Sequence, residues 1–372
     1  MKILVLNWQD IKNPLGGGAE VHLHEIFKRL VARGHSVTLF CSSFSGAPKE
    51  ETIDGIRVLR RGSRNLFNFI VPLMYQSRLR RERFDIVVDD INKIPFYSPL
   101  FVKGPLLAMV LHLFDKSIFR EAVLPAALYV YGSERLALSV YKHTPIAVIS
   151  DSTRDELVQH GFPEENITNV RIAVNHDLYR VLDTSKKSAA HVGYLGRIKK
   201  YKSVDHLIKA FEIVRKEIPD ATLTVVGDGD ALPLLKGLAK ELGISEAVKF
   251  AGYVSPEEKV RLINQMHVVV NTSAKEGWGL TVTEANACGV PVVASDVPGL
   301  RDSVIDGKTG LLYEYGNIEQ LAEKILLVLR DEHLRSRLAA DAVEHSKTFQ
   351  WDDCADRMMR VIERVAGSRS AG

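Results

Sequence analysis

From end to end, this chain alternates short apolar runs with segments that carry apolar residues at helical spacing. That alternation calls for parallel sheets. A parallel crossover needs an intervening helix, and a strand covered on both faces reads as a continuous apolar run. In the first half the predicted strands are Lys2–Asn7, Ser36–Cys41, Arg57–Arg60, Asp85–Val88, Leu106–Leu111 and Ile146–Ile149. The stretch Ala19–Arg33 predicts a helix closed by Gly34, with Val21, Ile26, Leu30 and Val31 on one face. A second series follows at His191–Leu195, Thr222–Val226, Val248–Phe250, Val268–Asn271 and Pro291–Ala294.

Between the two series, Leu182–Ala190 is polar and small, as linkers are. The expected fold is therefore α/β, with two facing Rossmann-like domains at residues 1–184 and 185–350, each built on a parallel sheet. The last segment, 351–372, is helical in pattern over Trp351–Ala366 and is expected to pack back on the first domain. Open α/β sheets bind ligands beyond the carboxyl ends of their strands, so the expected site is the cleft between the domains.

A length of 372 residues, 46% hydrophobic and 26% charged, suits two soluble globular domains and excludes disordered, collagen-like and low-complexity chains. No uncharged apolar run approaches the ~20 residues of a membrane span. The best, Asn65–Ser77, is short and carries Pro72. The first residues, Met1 to Leu6, read as a strand rather than a signal peptide. Three scattered cysteines, Cys41, Cys288 and Cys354, indicate a reducing compartment rather than a disulfide framework or a zinc site, so the expected location is cytoplasmic. Residues 1–183 hold 23 Lys/Arg against 20 Asp/Glu, and the remainder 26 against 26. That balance excludes a nucleic-acid binder that works by neutralising phosphates. One local exception is Ile56–Phe84, with eight arginines (57, 60, 61, 64, 78, 80, 81 and 83) and a single acid, Glu82.

Three segments carry chemistry. Gly16-Gly17-Gly18 follows the first strand and opens a helix; such a loop lets backbone N–H groups approach an anion, though a structural turn reads equally well. It matches neither the dinucleotide nor the P-loop fingerprint. Gly196-Arg197, with Lys202 five residues on, places two cations beyond a strand end, fit for a diphosphate or for a solvated basic loop. In Glu276-Gly277-Trp278-Gly279-Leu280-Thr281, a carboxylate precedes a helix whose free N–H groups can meet phosphate, and Glu284 lies one turn further on.

The order Gly-rich loop, Gly196-Arg197 with Lys202, then Glu276 and Glu284, resembles the retaining glycosyltransferases of family 4. Val226–Gly229, Gly252-Tyr253-Val254, Ala287–Gly299 and Asp306–Leu312 are similar to that family too, and the likeness covers nearly the whole chain. It implies a GT-B-type fold and transfer of a sugar from a nucleoside-diphosphate sugar, GDP- or UDP-linked, to a glycan or lipid-linked acceptor with the anomeric configuration retained. Arg197 and Lys202 would neutralise the diphosphate, Glu284 would hold the ribose, and Glu276 the hydroxyls of the transferred sugar. The N–H groups of Leu280 and Thr281 would meet the distal phosphate, with Gly17 and Gly18 closing on it. Tyr253 and Val254 would lie by the base, and Gly229 in a turn near the nucleotide.

His112, past a first-domain strand, corresponds to the family's histidine near the sugar; a structural histidine is the alternative. Trp278 stands where the family more often shows phenylalanine. Asp228-Gly229-Asp230 imitates the metal-diphosphate motif of the other major glycosyltransferase fold, but its place after Thr222–Val226 makes it structural. No metal and no separate cofactor are expected. A nucleotide-sugar 2-epimerase and a non-catalytic glycan-assembly subunit are the alternatives; a dinucleotide oxidoreductase is disfavoured by the missing fingerprint. Finally, Leu66, Ile70, Leu73 and Met74, among the arginines, form an expected amphipathic face for an anionic membrane, with Ala122–Tyr131 adding to it. The same face would also suit packing on the first-domain sheet.

Overall fold

The computed structural model describes residues 1–91, 94–121, 123–183 and 189–367. Residues 184–188 of the expected linker, with the expected boundary at 184/185, lie outside the described residues, as does Ala122. The chain divides into two compact units. One is Met1–Ala173 with the C-terminal segment from Trp351, and the other is Val174–Gln350. The second unit thus starts before the expected linker, because Val174 and Tyr179 are buried in its core.

In the first unit the strands are β1 (Lys2–Leu6), β2 (Ser36–Cys41), β3 (Glu50–Ile53), β4 (Ile56–Arg60), β5 (Ile86–Ile91), β6 (Leu106–Val110), β7 (Ile146–Val148) and β8 (Ile167–Asn169). Their order is β3-β4-β2-β1-β5-β6-β7-β8, parallel except for the β3–β4 hairpin. β1 lies at the centre, with Leu4 opposite Thr38 on one side and Val87 on the other. Helix α1 (Gly18–Ala32) follows β1, α2 (Phe67–Ser77) follows β4, and α3 (Leu124–Val140) precedes β7.

In the second unit the strands are β9 (His191–Leu195), β10 (Thr222–Val226), β11 (Val248–Gly252), β12 (Val268–Asn271), β13 (Val292–Ser295) and β14 (Gly310–Tyr313), all parallel in the order β11-β10-β9-β12-β13-β14. Val268 and Val270 of β12 join one apolar cluster and Val269 the other, so both faces are buried and the strand needs an unbroken apolar run. Helices α4 (Pro256–Asn264) and α5 (Leu280–Ala287) flank β12 in sequence.

The C-terminal helix α6 (Trp351–Gly367) belongs to the first unit and packs along α1. Trp351, Cys354, Ala355, Met358, Ile362 and Val365 form its buried stripe at helical spacing. Asp352 and Asp356 pair with Arg29 (3.1 Å) and Arg33 (2.6 Å) of α1. Strands β3, β8 and β14 have no counterpart among the predicted strands; each is a three- or four-residue piece at a sheet edge.

Candidate functional site

In the second unit, the carboxyl ends of β9 and β12 deliver the key side chains. The turn after β9 leaves Arg197 exposed, its guanidinium 3.4 Å from the Tyr201 hydroxyl. Lys202, at the end of the same turn, forms an ion pair with Glu276, and each side chain keeps only 14% of its surface exposed. Burial works against the Lys202 charge, but the Glu276 carboxylate outweighs it and holds the ammonium above its ordinary range; Arg197 is close enough to oppose this slightly.

The loop after β12 holds Glu276 in place. Asn271 accepts the Ser273 N–H (3.1 Å), and the Ser273 hydroxyl donates to the Glu276 carboxylate (2.8 Å). Two further bonds tie this loop to the Lys202 turn: Thr272 Oγ1 donates to Lys202 O (2.8 Å), and the Ala274 N–H donates to Tyr201 O (2.9 Å). Gly277 leads to Trp278, which is buried, donates from Nε1 to Thr283 Oγ1 (2.8 Å) and meets Phe349 edge-on. The indole therefore anchors the loop rather than reaching outward.

Helix α5 starts at Leu280 behind Gly279, which offers no side chain as a cap. Among the described residues no side chain caps the helix there, so Leu280 and Thr281 open an N-terminus suited to an anion. One turn on, Glu284 pairs with Lys259 of α4 at 2.5 Å. Burial, with the charge of the nearby Glu284 adding to it, pushes the Tyr179 phenol far above its ordinary range.

The remaining expected residues of this unit divide. Tyr253 stands 86% exposed after β11, with Val254 packed on the core beneath it, a free aromatic face of the kind a base can stack on. At Gly229 a Cβ would lie 2.1 Å from the Ile198 carbonyl oxygen, so this glycine permits the close approach of the turns after β9 and β10. Asp228 accepts the Gly229 N–H (2.7 Å), and Asp230 pairs with Lys199 (2.7 Å). Both aspartates are engaged within the turn.

In the first unit, Gly17 caps α1, and its N–H donates to the Glu20 carboxylate at 2.6 Å. One of the two N–H groups expected for phosphate thus has an acidic partner already, while Gly18 is the first residue of the helix. His112 sits just past β6, its ring 4.7 Å from Phe114, and lines a mainly apolar recess with Val110, Leu113, Tyr141 and Ile146.

Residues 182–345 match the family described as Glycosyl transferases group 1, and residues 16–178 match Glycosyltransferase Family 4. The chain belongs to the family 4 glycosyltransferases. It is 30% identical over 229 residues to a D-inositol 3-phosphate glycosyltransferase of Corynebacterium aurimucosum, covering 57% of this chain and 54% of that one. It therefore spans about half the length of that curated relative. Sucrose-phosphate synthase from Thermosynechococcus elongatus superposes with a TM-score of 0.81 at 20% identity over 99% of each chain. HepE of Anabaena in complex with UDP-glucose gives 0.76 at 20% identity over 100% of each. These two likenesses carry the fold, which is of the GT-B type.

Three partners in this glycosyltransferase escaped the sequence reading. Tyr179 and Lys259 reach Glu284 from elements far away in the chain, and no local pattern marks them. Ser273 did carry a signal, since it lies in the polar run Asn271-Thr272-Ser273 directly after a buried strand.

Proposed function

We propose that this glycosyltransferase moves a hexosyl group from a UDP- or GDP-linked sugar to an acceptor hydroxyl of a glycan or glycolipid, with retention and without a metal ion, in the cytoplasm. The observation that carries the reading is the Lys202–Glu276 ion pair at the loop leading into the uncapped N-terminus of α5. A lysine and an exposed arginine beside free helix N–H groups form an anion site, and the adjoining carboxylate suits sugar hydroxyls. HepE, bound to UDP-glucose in a chain of the same fold, supports a nucleotide-linked donor. The three free, buried cysteines support a reducing location.

In this reading the bond from the anomeric carbon to the distal phosphate oxygen breaks first. Arg197, Lys202 and the N–H groups of Leu280 and Thr281 stabilise the charge that gathers on the leaving diphosphate. The acceptor oxygen bonds to the anomeric carbon on the same face, and its proton passes to the departing phosphate oxygen. Glu276 holds the sugar hydroxyls, Glu284 the ribose, and Tyr253 with Val254 the base. His112 is the first-unit histidine assigned to the sugar, and Gly17 and Gly18 the first-unit N–H groups assigned to phosphate.

Incubation with UDP- and GDP-hexoses and a glycoside acceptor, with and without EDTA, tests the reading. Nucleoside diphosphate should be released with EDTA present, and the product should keep the donor's anomeric configuration. Inverted product would remove retention. A strict Mn²⁺ or Mg²⁺ requirement would return Asp228 and Asp230 to consideration, and release from no nucleotide sugar would overturn the whole assignment.

A further inference from the structure

Helices α2 and α3 of the first unit expose an unusual amount of apolar surface. On α2, Phe67 and Val71 are buried, with Ile70 and Met74 packed partly against the same cluster. Ile70 and Met74, expected on the outward face, therefore serve the core. The residues facing solvent are Leu66 (57% exposed), Phe69 (60%) and Leu73 (67%). α3 is seventeen residues long and mostly apolar, yet its buried positions are Ala127, Glu134 and Ala137. Val123 just before it, and Leu124, Leu128 and Leu136 along it, stand more than half exposed. The two helices are neighbours, since Asn68 of α2 donates to the Tyr129 hydroxyl of α3 at 3.3 Å. Glu134 fixes α3 in place by accepting the N–H groups of Phe114 (2.6 Å) and Asp115 (2.7 Å).

Charge beside α2 is mainly positive. Arg64 precedes α2, and Arg78, Arg80, Arg81 and Arg83 follow it; all five are exposed and form no ion pair among the described residues. Glu82, the acid among them, is taken up by Arg57 at 2.7 Å. The other arginines of the cluster are structural. Arg60 is fully buried on Asp10 and Glu51, and Arg61 donates to backbone carbonyls. No described helix is long and apolar enough to cross a membrane.

We propose that the α2–α3 face lies on an anionic lipid bilayer, with Leu66, Phe69, Leu73, Leu124 and Leu128 in the headgroup layer and the five free arginines on lipid phosphates. Apolar residues beside unpaired cations match such a surface, where each arginine strengthens binding by about five-fold. A second copy of the chain fits less well, because it would bring two sets of arginines together without acids between them.

The full chain would be sedimented with phosphatidylcholine vesicles, with and without phosphatidylglycerol, at low and high salt. The expected result is binding to the anionic vesicles that high salt weakens. Phe69→Glu/Leu128→Glu and Arg78→Ala/Arg80→Ala/Arg81→Ala should each lower it by at least about ten-fold. Circular dichroism and nucleoside diphosphate binding would show that the variants remain folded and that donor chemistry is a separate matter. No sedimentation at low salt would overturn the proposal, as would binding that both variants retain. So would a dimer, seen by light scattering, that Phe69→Glu/Leu128→Glu dissociates.

Discussion

Two pairs of buried carboxyl groups, one pair in each unit, are handled in opposite ways. In the second, Glu276 and Glu284 are nearly buried and each meets a lysine. In the first, Asp90 is fully buried and neither of its oxygens has a hydrogen-bond partner among the described residues. Burial, with the neighbouring Glu20 and Asp89 adding to it, pushes the Asp90 carboxyl well above its ordinary range and favours its protonated form. Asp89 accepts from Ser98 and Tyr141, yet burial still raises it to about 6. An ion pair keeps a carboxylate charged and lets it change partners when a ligand arrives; protonation removes the charge altogether. Exchangeable charge is gathered where the donor is proposed to bind, whereas Asp89 and Asp90 of β5 hold protons more tightly than ordinary carboxyl groups do.

The largest effect expected from this contrast is on turnover. Glu276→Gln keeps the shape but loses the charge that orients sugar hydroxyls, so transfer should fall by about 10²–10³ while nucleoside diphosphate binding persists. Calorimetry beside a transfer assay checks this, and wild-type turnover would place Glu276 outside the chemistry.

Next comes the pH dependence of stability, which should reside in the first unit. Asp89 has a folded pKa raised from 3.8 to about 6, so its folded state binds the proton more tightly. Its contribution is favourable at low pH and is lost as pH rises between about 4 and 6, by about 3 kcal/mol. His22 runs the other way. Burial lowers it from 6.5 to about 4, so its contribution is present above 6.5 and fades as pH falls. The two slopes nearly cancel in the wild type. Urea unfolding across this range should show Asp89→Asn gaining on the wild type as pH rises and His22→Gln gaining as pH falls; parallel curves would break the contrast.

The smallest effect concerns Lys259. Lys259→Met removes the ion-pair partner of Glu284. The preference for a nucleoside diphosphate over its 2′,3′-dideoxy form should drop by about five-fold, with pyrophosphate binding unchanged. An equal loss for both nucleotides would mean that Glu284 does not meet the ribose.

Much of this architecture was legible because a buried parallel strand has to be apolar throughout. Val268-Val269-Val270 could be read as one with no partner known. Edge strands escaped because one side of the ladder is unpaired and three or four residues carry little pattern. β3 did leave a trace. Asp54-Gly55 joins it to β4 with φ of +47° and +79°, the positive angles that a tight hairpin requires and that an Asp-Gly pair supplies. At the site, Arg197, Lys202, Glu276 and Glu284 stood out because their spacing is local. The pairing of Lys202 with Glu276 joins residues 74 positions apart, and Lys259 is carried by a different helix from Glu284. Such partners are set by strand order, which no short window of sequence contains. The apolar residues of α2 were visible, but which of them face outward depended on the core that Ile70 and Met74 join.

Helix α6 closes against α1, so the first unit is assembled from two separate stretches, and the second is made from the stretch between them. During synthesis, Val174–Gln350 emerges as one uninterrupted stretch, while Ala173 waits roughly 10–35 s for Trp351 at ordinary ribosomal speeds. All residues of the later-encoded unit are thus synthesised before the last residues of the earlier one. In that interval the apolar residues that Trp351, Met358 and Ile362 later cover lack that cover, as transiently exposed surface does in other chains that fold in pieces.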